Sequence, residues 1–311
     1  WPKCFGYYIP PTDPSQVEFH SGHEYSKGMM IIVNDTLWRA KDDFHSGANF
    51  RDGDHWEKYP VHDYAKFFVA HTWTEYINRL FGALSGFSMF LLMFIALLRI
   101  RKDWKTFAVM VAGMCMMAFV IWLGAVVVNT NLAPFKITFH MLSAMVMVAI
   151  VILVQARVRA MCGEQKHVVP KFARILFFLA LLLTLDQVIF GTQVRQQIDT
   201  IYSNMSGLSR ETWIAQLNGV YLYHKIMAGV VMIVNIALFW FMYRTKPEGK
   251  TKWLSYGLLL VMLGEYGAGV FMHNFAIPAY AQPVHLLLAM ILFGVQLGLI
   301  VRTRSGEIVQ N

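Results

Sequence analysis

Three histidines, His140, His224 and His285, stand within about two turns of the end of a strongly apolar segment. A polar side chain at membrane depth is costly, so the expectation is that it faces a protein interior and serves a function. Neutral imidazole is the usual axial ligand for haem iron held between helices. His224 and His285 are separated by two helix crossings and return to one level, as a bis-histidine haem site requires. The bland reading of the same pair is two hydrogen-bonded core histidines. Glu75, Asn78 and Arg79 fall at i, i+3 and i+4, on one helical face. A carboxylate beside an open haem face suits oxidation chemistry, whereas a Glu75–Arg79 ion pair anchoring the helix is the alternative. His71, one turn earlier, could replace a missing haem ligand, and an interfacial histidine is the favoured reading. Asp186 and Glu265 are also expensive to bury; they could serve haem propionates, a proton path or interhelical hydrogen bonds, and the last is favoured. Gly82, Gly86, Gly124, Gly191, Gly229 and Gly269 read as sites of close helix packing.

The elements that must carry these residues follow from composition. The chain has 311 residues, 56% hydrophobic and 15% charged, too apolar for an ordinary soluble domain. Crossing the hydrocarbon core takes about 20 apolar residues in a helix, because the backbone must pair internally there. Such stretches run roughly over 79–98, 106–128, 138–156, 173–193, 219–242, 253–273 and 282–301. The net charge of +8 does not point to nucleic acid, since Lys and Arg concentrate in alternate short loops. Arg99, Arg101, Lys102 and Lys105 fill one, Arg157 to Arg174 a second, Arg244 to Lys252 a third, and Arg302 and Arg304 follow the last helix. The positive-inside rule makes these cytoplasmic and places residues 1–70 and the ligand histidines toward the outer, periplasmic face of a cell (inner) membrane. Residues 1–70 are polar and read as an ordered outer loop or cap. Their histidines His20, His23, His45, His55 and His62 lack a metal-ligand spacing and read as surface residues. Cys115 and Cys162 fall in a helix and a cytoplasmic loop, which leaves Cys4 alone on the oxidising side.

The chain also repeats itself. A shift of 145 residues lays Gly124 on Gly269, Asn129 on Asn274, His140 on His285 and Met145 on Met290. A shift of 146 lays Asn78-Arg79 on His224-Lys225. The expected fold is therefore all-α: a polytopic membrane protein of two pseudo-symmetric four-helix bundles. Seven helices are present and an eighth is expected N-terminal to them, since residues 1–70 must be exported without a signal peptide. The implied organisation is an outer segment over 1–70, a first bundle half over 71–160 and a second over 161–311. In the first half Asn78 stands where His224 stands in the second, so one axial ligand is missing there.

These residues resemble the haem A synthases of the aerobic respiratory chain, over nearly the whole chain apart from much of 20–65. WPKCFGYYIPP resembles the end of that family's first outer loop, EYINRLFGALSG its glutamate-bearing helix, and GAVVVNTNLAP with TFHMLSA its fourth-helix approach. GTQVRQQID resembles its fifth-helix exit, and YHKIMAG and AQPVHLLLA its two C-terminal histidine motifs. The resemblance implies oxidation of the C8 methyl of haem O to a formyl group by successive hydroxylation, using a bound haem b. It implies haem b ligation by His224 and His285, a substrate-haem role for His140 with Asn78 and Arg79 beside it, and a catalytic Glu75. Cys4 would be the second member of an outer-loop cysteine pair whose partner lies outside this sequence. Implied partners are membrane lipid, haem O synthase and cytochrome oxidase assembly factors. Asn78 departs from the histidine usual in the family.

A different class remains open on the residues alone: a non-catalytic di-haem b-type cytochrome transferring electrons. It predicts four axial histidines in two equivalent pairs, which Asn78 does not supply. A haem transporter would need a path across the membrane, and ligands confined to one leaflet do not provide it.

Overall fold

The computed structural model describes residues 3–51, 53–59, 67–99, 103–129, 135–204 and 210–306. Eight α-helices occur among them: α1 (Val69–Leu98), α2 (Trp104–Asn129), α3 (Lys136–Met161), α4 (Lys171–Asn204), the short α5 (Trp213–Gln216), α6 (Gly219–Arg244), α7 (Gly249–Asn274) and α8 (Ala281–Arg302). All but α5 are long and apolar enough to cross a membrane, which makes seven candidate spans. The helices outrun the apolar stretches at several ends, where Lys, Arg and Trp residues can extend from hydrocarbon into the headgroup layer. The chain divides into two compact units, Trp1–Phe90 and Leu91–Asn311, with the division inside α1.

In the first unit the segment expected as an outer loop is in large part a small β structure. Strands β2 (Met30–Val33), β3 (Thr36–Ala40) and β5 (Trp56–Lys58) form one antiparallel sheet in the order β2-β3-β5. Strands β1 (Glu24–Tyr25) and β4 (Phe44–His45) pair separately. The β2–β3 hairpin turns on Asn34 and Asp35, both at positive φ (50° and 56°). That is the two-residue turn whose twist matches the flanking strands and which Asn and Asp tolerate. Tyr25, Ile31, Ala40 and Trp56 are buried beneath Phe19, Trp38, Phe44 and Phe50, so the segment has a core of its own.

In the second unit α4, α6, α7 and α8 form a four-helix bundle in which α4 meets α6 and α8, and α7 meets α6 and α8. Helices α6 and α8 thus face each other along a diagonal. Helix α3 packs on α8 and α4, and α2 packs on α3. The bundle interior is filled by Phe177, Leu238, Met242, Leu258, Met262 and Leu299, each at most 2% exposed. Outward-facing positions carry Leu182, Ile233, Trp253 and Leu260, the apolar surface a lipid-facing helix presents.

The basic segments assigned by charge to one side do meet at one end of this unit. Arg157 pairs with Asp103 at 2.5 Å, Arg302 with Glu164 at 2.5 Å, and His167 contacts Thr245 at 2.9 Å. Strand β6 (His167–Val169) runs parallel to β7 (Thr303–Ser305), and Arg174 donates to the Thr303 carbonyl at 2.8 Å. Hydrogen bonds from Arg157, then from Thr106, hold the Asp103 carboxyl down at about 2, so this tie is ionised throughout the ordinary pH range.

Candidate haem site between the helices

Each of the three histidines sits on the second turn of its helix, His140 on α3, His224 on α6 and His285 on α8. Each ring brings its Cε1 up against a glycine of the neighbouring helix. A Cβ built on Gly124 would meet Cε1 of His140 at 3.3 Å, one on Gly191 would meet Cε1 of His224 at 3.2 Å, and one on Gly269 would meet Cε1 of His285 at 3.5 Å. Gly82, Gly86 and Gly229 have open space instead. Three of the six glycines read as packing residues are therefore seats for the imidazoles. The Gly124–His140 and Gly269–His285 seats are 145 residues apart, so the repeat read from the sequence recurs as contact geometry.

A branched or long side chain at Gly191 would push His224 off its seat, whereas one at Gly229 would meet nothing. Gly191→Leu is therefore expected to lower the haem content of the purified protein at least several-fold, and Gly229→Leu to leave it unchanged. Haem-to-protein ratios from absorbance check this, and equal retention by both variants would refute the seat's role.

Across the α6–α8 diagonal the rings of His224 and His285 lie 6.5 Å apart, centroid to centroid, at 89° to one another. This separation can be tested against an iron atom. An imidazole nitrogen binds a first-row metal at about 2 Å and sits about 1.2 Å from its ring centre, so two axial rings are about 6.4 Å apart across one metal. The observed spacing fits. The Nδ1 atoms of His140, His224 and His285 are buried without a hydrogen bond among the described residues. Glu265 on α7 brings Oε1 to 3.2 Å from Nδ1 of His285, an ion-pair distance without the alignment of a hydrogen bond. A haem held by two imidazoles is therefore compatible with the residues present.

The carboxylate expected at the other candidate centre lies in the first unit. On α1, Arg79 pairs with Glu75 one turn earlier, as the anchoring alternative anticipated, and its Nη1 also lies 3.8 Å from Sγ of Cys4. Trp73 donates to the Pro11 carbonyl at 3.1 Å, tying the N-terminal strip to the start of α1. Cys4 is a free thiol, and burial pushes its pKa up. Asn78 is exposed, while Glu75 keeps 40% of its side chain accessible. His62 and the side chain of His71 lie outside the described residues. His20, His23, His45 and His55 are on the surface, and no group of metal-ligating residues occurs among those described apart from the histidine pairings above.

Asp186 makes the interhelical hydrogen bond favoured for it, accepting from the Tyr223 hydroxyl at 3.2 Å. Glu265 instead touches a candidate iron ligand. Sequence reasoning missed a buried polar trio: Gln296 on α8 donates to Thr184 of α4 and to Asn235 of α6, both at 3.0 Å. A signal was available, because Asn235 and Gln296 each lie eleven residues after a candidate ligand histidine, three turns along the same face. The trio also explains why α4, α6 and α8 hold one register below the histidines. In lipid such interhelical bonds are worth about 0.6 kcal/mol each, but leaving the amides unpaired would cost more.

Seven long apolar helices define a polytopic membrane protein, and the two imidazoles facing across the bundle diagonal, each on a glycine seat, are compatible with a metalloporphyrin between them. The chain belongs to the COX15-CtaA family of cytochrome oxidase assembly proteins, which matches residues 48–297 and is the haem A synthase family that the motifs resemble. No curated protein and no solved structure was found to match the chain.

Proposed function

We propose that this protein is a haem A synthase: an oxidoreductase that converts the C8 methyl of haem O to a formyl group by successive hydroxylation, with a haem b held between His224 and His285. The observation that carries this reading is the 6.5 Å spacing of those two rings across the bundle diagonal, in a chain of the cytochrome oxidase assembly family. Bound there, haem b supplies one-electron redox chemistry. The chain's own part is positional. Gly191 and Gly269 bring α4 and α7 close enough to fix the two rings, and Glu265 stands beside Nδ1 of His285. His140, seated on Gly124 in the matching way, would serve the substrate haem, and Asn78 and Arg79 would be further residues of that half. Glu75 would be the catalytic carboxylate, placed to stabilise charge developing at the oxidised carbon. The division of labour follows the repeat, with the substrate haem in 71–160, haem b in 161–311 and the β-structured outer segment over 1–70 as a cap. Haem O, with its farnesyl tail, would enter from the bilayer near the outer face, and haem O synthase and oxidase assembly factors are the expected partners.

Purification followed by haem extraction tests the reading. A synthase carries haem b together with haem O, its hydroxylated intermediate or haem A. Haem b alone would identify an electron-transfer cytochrome instead.

A further inference from the structure

We infer that Glu265 is a positioning residue that makes His285 an unusually strong electron donor to iron, so that the haem of the second repeat has its reduction potential lowered by a carboxylate that the first repeat lacks. The inference rests on reading His224 and His285 as iron ligands, and adds what the third residue of that group does.

The geometry is specific. Glu265 Oε1 lies 3.2 Å from His285 Nδ1, the carboxylate is only 17% exposed, and its Oε2 is buried without a hydrogen bond among the described residues. A carboxylate placed against the second nitrogen of a ligand histidine favours one tautomer and ring orientation and makes the imidazole a more basic ligand. Extra electron density on the ligand favours the ferric over the ferrous ion. Because the pair is largely shielded from water, the effect is weakly screened.

The repeat provides an internal comparison. Val120 occupies in α2 the position that Glu265 occupies in α7, four residues before the glycine that seats the histidine in each case. Gln187 stands at the same place before Gly191, which seats His224, and neither Val120 nor Gln187 has a side chain that can carry a charge. So one architectural unit, a histidine seated on a glycine, is used three times, and only in the third does a carboxylate stand one turn before the glycine. A side chain chosen merely to bridge helices would not need to be aimed at Nδ1.

The experiment is a spectroelectrochemical titration of the purified, haem-loaded protein and its Glu265→Gln variant. The variant is expected to keep haem b and its Soret band but to show a higher midpoint potential. Its ratio of ferric to ferrous haem affinity should fall on the order of tenfold, equal to about 59 mV for one electron. Glu265→Asp keeps the charge and draws it back from Nδ1, so it should shift the potential in the same direction by less. It decides the matter if the glutamine variant does not retain haem. A haem-bound variant with an unchanged potential overturns the role of Glu265 and leaves the two histidines as ligands. Wild-type protein with no bound haem overturns the ligand reading beneath it.

Discussion

Alanine in place of His285 is expected to leave the purified protein with less than about a tenth of its wild-type haem b, and His224→Ala to do the same. Removing a mere hydrogen-bonding partner of a ligand costs about 10- to 100-fold in metal affinity, so losing an axial ligand costs at least as much. The two rings sit on opposite sides of the diagonal, and the 6.5 Å between them leaves room for one metal and not for a substitute side chain reaching over from a neighbouring helix. His140→Ala is a control built into the repeat, because its ring has the same glycine seat but belongs to the other half. It should keep haem b. The alanine variants also leave the Gly191 and Gly269 surfaces uncovered, and free imidazole in that space should restore part of the Soret absorbance. Pyridine haemochrome quantification of the three variants reads the result. Haem retained by His285→Ala but lost from His140→Ala would reverse the assignment of the two halves.

Much of this arrangement was legible before any coordinates, and the reason is physical. Lipid forces each span to be a long apolar helix, so the seven spans and the alternating basic loops stand out in a single sequence. The repeat was legible because His140 and His285 carry a shared register of glycine, asparagine and methionine around them. What escaped was information that depends on a neighbouring helix. Gly191 and Gly229 look alike in the chain, yet one seats His224 and the other faces open space. Glu265 and Asp186 look equally like buried acids, yet one is aimed at a ligand and the other at a tyrosine hydroxyl. The β structure in the first unit was missed for a different reason. Its strands are two to five residues long, and the Asn34-Asp35 turn signal lies in a segment whose polarity reads as loop.

Glu75→Gln is expected to abolish haem A formation while leaving haem b bound. Deleting a single group that stabilises transition-state charge costs about 10²- to 10³-fold in rate, and the loss should fall on turnover, not on cofactor content. The ion pair with Arg79 offers a competing explanation, in which Glu75 only holds the N-terminal end of α1. The two accounts separate in a double-mutant comparison. If the pair is structural, Glu75→Gln and Arg79→Gln each break the same bond, so they should lower thermal stability equally and activity equally, with no further loss in the double variant. If Glu75 acts on the substrate, removing Arg79 leaves the carboxylate in place. Arg79→Gln then keeps a measurable fraction of the activity that Glu75→Gln lacks, although both lose the same surface ion pair, worth no more than about 1 kcal/mol. The accessible 40% of the Glu75 side chain leaves an oxygen free beyond the one Arg79 engages, which favours the second outcome. Measuring extracted haem O, hydroxylated intermediate and haem A for all four proteins distinguishes them, and haem A output from Glu75→Gln equal to wild type would remove Glu75 from the chemistry.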